Sequence, residues 1–269
     1  IDATASAYKN EITELVSEFQ PGRDDLRGGV ITRTEEGRPI SSYYGRVVEG
    51  IFQTEQEVRD HADQGFANPA DGVGRFKYRD LPDENGEYDG VINDNDRTYI
   101  GSPHPDFTYG LNFMLGYGGF DLSAFFNGSQ GNDLYNYNKI YSDFPTFFHG
   151  NRSIRVNDSW TPDNTDASLP AVSAGVKNNE TNPNSFFVED GSYFRLKNLQ
   201  VGYTFDGDWT RKAHMDSFRI YAQGTNLFTI TDYDGVDPEI AGNNNLSLGI
   251  DYRVYPYSQI FTLGFNVKF

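Results

Sequence analysis

Carboxylates and side-chain amides crowd one short stretch of this 269-residue chain, "DENGEYDGVINDND" at residues 83–96. Ca²⁺ takes about six to eight oxygen ligands from such groups and from backbone carbonyls, with a glycine at a sharp turn. The EF-hand-type pattern is D-x-[DN]-x-[DN]-G, followed by an apolar residue and a final acid. Asp89-Gly90-Val91-Ile92 supplies the turn and the apolar anchor, and Asp96 the last carboxylate. Asp83 and Asn85 lie upstream, farther from Asp89 than the pattern sets, with Glu87-Tyr88 as the insertion. The candidate Ca²⁺ ligands are therefore Asp83, Asn85, Asp89, Asn93 and Asp96. The competing reading is a solvated acidic loop closed by Asx turns.

Other chemistries find less support. The four histidines, His61, His104, His149 and His214, form no zinc spacing. Cysteine is absent, which removes disulfides, thiolate metal sites and thiol nucleophiles. No Gly-x-Ser-x-Gly elbow or P-loop occurs. Among 39 acidic residues, carboxylate pairs arise by chance, so they do not identify a glycosidase. The chain is expected not to be an enzyme. The aromatic run "NDLYNYNKIYSDFPTFFHG" (132–150) admits two readings. It is a stacking platform for sugars or peptides, or it packs the loop against its neighbours.

The elements that would position these groups read as strands. "FTYGLNFMLGY" (107–117) alternates, with Phe107, Tyr109, Leu111, Phe113, Leu115 and Tyr117 on one face. Met114 is the apolar intruder on the other. A Gly-containing turn leads to "FDLSAFFNGS" (120–129), which completes a hairpin. A second hairpin joins "YFRLKNLQVGYTF" (193–205) to "FRIYAQGTNLFTI" (218–230). The chain closes on "IFTLGFNVKF" (260–269), where every second residue is apolar and the last is Phe269. Residues 10–106 offer one short strand in "SSYYGRVVEGIF" (41–52) and one short helix in "TEQEVRDHADQ" (54–64).

Strands of about ten residues match a tilted membrane-spanning strand. The connections alternate between long and short, as in barrels with short periplasmic turns and long outer loops. The expected organisation is barrel strands at 107–130, 193–230 and 260–269. Residues 10–106, 131–192 and 231–259 are then long extracellular loops. The last strand runs inward, with its odd-numbered side chains toward lipid and Phe269 in the interfacial girdle. A net charge of −17 excludes binding to a nucleic-acid backbone. With 21 Phe and 18 Tyr but only 37% hydrophobic residues, the composition fits a barrel or a secreted β-domain. Five strands cannot close a barrel, and an open edge is costly in lipid. The fold class is therefore all-β, the C-terminal portion of a large transmembrane β-barrel with about five antiparallel strands. With Ile rather than Met at residue 1, the start is expected to be internal.

Four segments resemble the C-terminal end of the SusC/RagA-like TonB-dependent transporters of Bacteroidetes. They are "IGSPHPDFTYGLNFMLGYGGFDLSAFFNGSQGNDLYN" (100–136), "GSYFRLKNLQVGYTF" (191–205), "FRIYAQGTNLFTITDYDGVDPEI" (218–240) and "FTLGFNVKF" (261–269). "RTEEGRPISSYYGRVVEGIFQTEQEV" (33–58) resembles the segment that precedes them. The resemblance implies a plugged barrel of about 22 strands in the outer membrane. It implies a SusD-like surface lipoprotein as partner and a TonB system acting through a plug region. The implied cargo is an oligosaccharide or a peptide. Similar proteins often carry an uninterrupted calcium-like loop where this chain has the Glu87-Tyr88 insertion. In that frame Trp160 lies in an outer loop, facing cargo or the lipoprotein, and Trp209 anchors the inner interface. A reading from another class is a secreted, soluble, calcium-binding β-domain that recognises glycans. A third is a hydrolase.

Overall fold

A computed structural model describes the chain except residues 24–25, 146–149, 174, 176–177, 241, 243 and 253. The first half carries β1 (Asp2–Ser6), β2 (Phe19–Pro21), β3 (Thr32–Glu35), β4 (Ser42–Arg46), β5 (Val48–Ile51), β6 (Phe76–Tyr78) and β7 (Arg97–Gly101). The second half carries β8 (Phe107–Tyr117), β9 (Phe120–Gln130), β10 (Asp133–Tyr135), β11 (Val188–Asp190), β12 (Tyr193–Phe205), β13 (Ser217–Thr231) and β14 (Ile260–Lys268). One antiparallel sheet, in the order β1-β8-β9-β12-β13-β14, is the wall. It includes a strand the periodicity did not predict. β1, "DATAS", pairs with β8, Asp2 opposite Asn112.

Register sorts the wall's two faces. Val201 lies opposite Ala222, which lies opposite Leu263. Leu115 lies opposite Leu122, which lies opposite Val201. These apolar rows share the outer face, and Phe261, Leu263 and Phe265 stand exposed on it. Polar rows share the inner face, with Gln223 opposite Thr262 and Arg219 opposite Asn266. Met114, Phe125 and Ile260 are apolar exceptions on the inner face, opposite Ser123, Asn112 and Thr225. A bulge at Lys197 and a left-handed Asn226 (φ 53°) break the β12–β13 register. An extra residue in a strand shifts its side-chain alternation. Phe194 and Leu196 thus share the outer face with the odd-numbered Leu199 and Val201.

The connections differ at the two ends. Gly118-Gly119 closes the β8–β9 hairpin with both φ angles positive, the geometry of a two-residue type I′ turn. A short helix at Asp208–Lys212 bridges β12 and β13, where Trp209 packs edge-on against Phe205 and Phe218. Both connections lie at one end. The long segments gather at the other and fold on themselves, as sheets β2-β3-β4-β7, β5-β6 and β10-β11. Thr54 caps the helix α1 (Glu55–Asp60) by accepting from Glu57 N. Their core is aromatic: Tyr43, Phe76, Tyr78, Tyr135, Tyr137 and Phe187 pack with Ile31 and Ile140. No helix among the described residues is long and apolar enough to cross a membrane.

Candidate functional site: the inner wall and the loops it carries

Ion pairs organise the inner face. Arg219 of β13 reaches across β12 to Asp121 of β9, with Nη2 at 2.5 Å from Oδ2 and Nε at 2.9 Å from Oδ1. Gly202 lies beneath the pair. A Cβ there would sit 2.5 Å from Arg219 Nη2 and 2.7 Å from Asp121 Oδ1. Nearer the loops, Arg195 of β12 is buried and fully engaged. It donates to Asp237 Oδ1 at 2.5 Å, Glu239 Oε2 at 2.8 Å and Thr229 Oγ1 at 2.8 Å. Tyr193 and Tyr257 flank its guanidinium, and Lys197 at the bulge donates to Glu239 at 2.7 Å. Asp237 Oδ2 also accepts from Tyr257 N. Removing one partner of such a buried pair costs about 3–5 kcal/mol. The network therefore pins the segment after β13 to the wall. Sequence reading missed it. The available signal was a lone Arg and Lys in β12 and the acids of "VDPEI" at 236–240.

The acidic loop spends its oxygens locally. Asp83 Oδ1 accepts from Asn85 N and Glu87 N, and Asn85 Nδ2 donates to Asp83 Oδ2. Asp89 accepts from Val91 N and from the Asn93 side chain. Asp96 is buried and accepts from Leu81 N and Asn93 N, the latter closing a capping box with Asn93. Asp83 with Asn85 and Asp89 with Asn93 thus form two separate local pairs. Among the described residues, no three His, Cys, Asp or Glu side chains gather as a metal-holding group. Asp80, outside the candidate set, has an Oδ1 without a partner. Burial, then the charge of Asp96, pushes its carboxyl above the ordinary range, while a bond from Gly90 N opposes.

Packing claims the described aromatics that might have formed an exposed platform. Tyr135, Tyr137, Ile140 and Phe144 are buried in the loop core, while 146–149 lie outside the described residues. Trp160 is largely buried, donates from Nε1 to Gln53 Oε1 at 2.8 Å and covers Gly74. Its expected role at cargo or lipoprotein is replaced by packing. Tyr43 donates to the carbonyls of Asp133 and Leu248, tying three segments together. Glu180 is buried against Arg75 at 3.2 Å. Burial pushes its carboxyl up to about 7, against the pull of Arg75.

Comparisons with known proteins add the context. No family profile matches the chain. TonB-dependent receptor P3 of Formosa agariphila is 36% identical over 263 residues, 95% of this chain and 24% of that protein. TonB-dependent receptor SusC of Bacteroides thetaiotaomicron is 28% identical over 72% of this chain and 19% of its own length. The chain thus spans about a quarter of the length of such relatives. Among solved structures, the RagAB peptide transporter superposes with a TM-score of 0.71 at 21% identity. That superposition covers 98% of this chain and 26% of the solved one. It shows a shared fold, part of a large all-β barrel.

Proposed function

From a chain that belongs to the SusC/RagA-like TonB-dependent receptors, we propose a role in TonB-dependent import across an outer membrane. The six strands form part of the barrel wall, their polar face lines the lumen, and the loop assembly forms part of the outer mouth. The cargo is an oligosaccharide or a peptide. A SusD-like surface lipoprotein covers the mouth, and TonB opens the path by pulling on a plug region. No covalent step is involved. The observation that carries this reading is the split wall. Apolar rows face out, charged and amide rows face in, and the long segments emerge at one rim. The soluble glycan-binding alternative is disfavoured by the same rows, because Phe261, Leu263 and Phe265 would then stand in water. The test is uptake of labelled oligosaccharides and peptides by cells carrying the full-length protein and its lipoprotein. Accumulation that vanishes without TonB supports the reading, and equal accumulation without TonB contradicts it.

A second part of the proposal concerns the acidic loop. Ca²⁺ is proposed at Asp83, Asn85, Asp89, Asn93 and Asp96, supported by the partnerless Asp80 oxygen beside Asp96. Binding would require Asp83 and Asn85 to release their turn bonds. Titration calorimetry should show a Ca²⁺ heat that both Asp89→Ala and Asp96→Ala remove. No heat, or a heat indifferent to both substitutions, contradicts it.

A further inference from the structure

The loops of this acidic chain hold a pocket of opposite sign. The sheet β2-β3-β4-β7 sets Phe19, Arg33, Tyr44 and Arg97 around a cavity of about 430 Å³. Arg33 Cζ lies 4.2 Å from the Phe19 ring centre and 4.9 Å from that of Tyr44. Arg97 Cζ lies 5.1 Å from the same Tyr44 ring. One tyrosine thus carries two guanidinium groups.

Their charge is only partly answered. Arg33 Nε lies 2.9 Å from Glu35 Oε2, an oxygen that also accepts from Tyr99, and Arg33 Nη2 lies 3.8 Å from Oε1 of the exposed Glu18. Arg46 meets Asp94 at 3.5 Å. Arg97 donates from Nη2 to the carbonyls of Val30 (3.1 Å) and Tyr44 (3.3 Å). Among the described residues it has no carboxylate at ion-pair distance. Burial lowers its pKa, Asp94 opposes, and the nearby Arg46 and Arg33 lower it further. A half-buried guanidinium retains donors in a planar fork that suits a carboxylate.

We propose that this cavity binds a carboxylate borne on a compact body, with Arg97 and Arg33 taking the acid and Phe19 and Tyr44 stacking on the body. Paired donors on a planar acid give strong, directional recognition, and aromatic faces accept a sugar ring or an apolar side chain. The acid can come from a uronate unit of an oligosaccharide or from the C-terminus of a peptide. Asp94, at the cavity's edge and 91% exposed at its side chain, pairs with Arg46 and sets its negative charge near Arg97, so it repels an incoming acid and limits its affinity.

The source of the ligand rests on the import reading, but the binding test is independent of it. Calorimetry on the full-length transporter would use trigalacturonate against galactotriose, and trialanine against its C-terminal amide. At least one free acid should bind at least tenfold tighter than its neutral counterpart. Which acid binds identifies the source. Arg97→Gln should weaken that acid at least tenfold, and Arg97→Lys by less, since it keeps the charge but loses the fork. Because Arg97 also holds two carbonyls, Asp94→Asn is the control against misfolding, and it should tighten binding several-fold. Neither acid binding, equal binding of the neutral probes, or no gain in Asp94→Asn overturns the inference. TonB-dependent uptake that persists in that case leaves the import reading intact.

Discussion

The wall and the loop assembly are built from the same chain but for different surroundings. Wall strands run 11 to 15 residues in β8, β9, β12 and β13, and the apolar core cluster includes no residue of the six wall strands. Most of their large apolar side chains stand on the outer face, with Leu263 77% and Phe265 69% exposed. Loop strands run three to five residues, yet Tyr43 and Tyr135 among them are fully buried. The loops satisfy the hydrophobic effect internally, as a water-facing domain must. The wall leaves its apolar rows uncovered by the rest of the chain, and its strands pair with one another through the ladder, with β1 and β14 at the edges. Arg195 is where the two meet, rooted in the wall and bonded to the loop acids.

The largest expected effect breaks the loop core alone. Phe187→Ala removes a fully buried ring packed against Tyr135 and Phe144. It should cost the loops about 3–5 kcal/mol. Limited proteolysis of the full-length protein should then cut the loop segments while the wall stays protected. Equal loss of protection in both regions would show that they unfold as one unit.

Next comes the wall. Phe265→Arg should cost about 2–4 kcal/mol near the bilayer midplane and less toward an interface, whereas Asn266→Arg on the inner face should cost little. Unfolding in lipid by denaturant compares the two variants. Matched stabilities would dissolve the distinction between the faces.

The smallest effect is a pH slope confined to the loops. Glu180 holds its proton up to about 7 when folded, against an ordinary value near 4.5. The unfolded chain releases that proton first, so loop stability should fall as pH rises from about 4.5 to about 7. The whole change is at most about 3 kcal/mol. Loop stability followed by hydrogen exchange should lose this slope in Glu180→Gln. An unchanged slope would place its origin elsewhere.

The wall was legible because its period-two pattern persists long enough to be counted. Phe107 to Tyr117 and Phe261 to Phe269 declare their outer face without help. β1 was not legible, since the side chains of "DATAS" are too small and polar to mark a face. Short loop strands such as Phe76–Tyr78 have too few residues to show a period. The bulge at Lys197 hid the link between Leu196 and Leu199, because one extra residue reverses the count. In the acidic loop the residue types were visible, but composition does not reveal which lone pairs the backbone has already taken. Asp96 shows this, with both oxygens accepting from main-chain N–H groups. Arg195 escaped because its partners lie 42 and 44 residues away.

The central claim is that alternate residues of the wall meet different media. The chain has no cysteine, so single cysteines placed at residues 261 to 267 of the full-length protein can each carry one spin label. After reconstitution in bilayers, labels at 261, 263, 265 and 267 should be relaxed mainly by lipid-dissolved oxygen. Labels at 262, 264 and 266 should not. A period of two in oxygen accessibility, with its maxima on the odd positions, is the predicted result. Maxima on the even positions, or no alternation at all, would contradict the account.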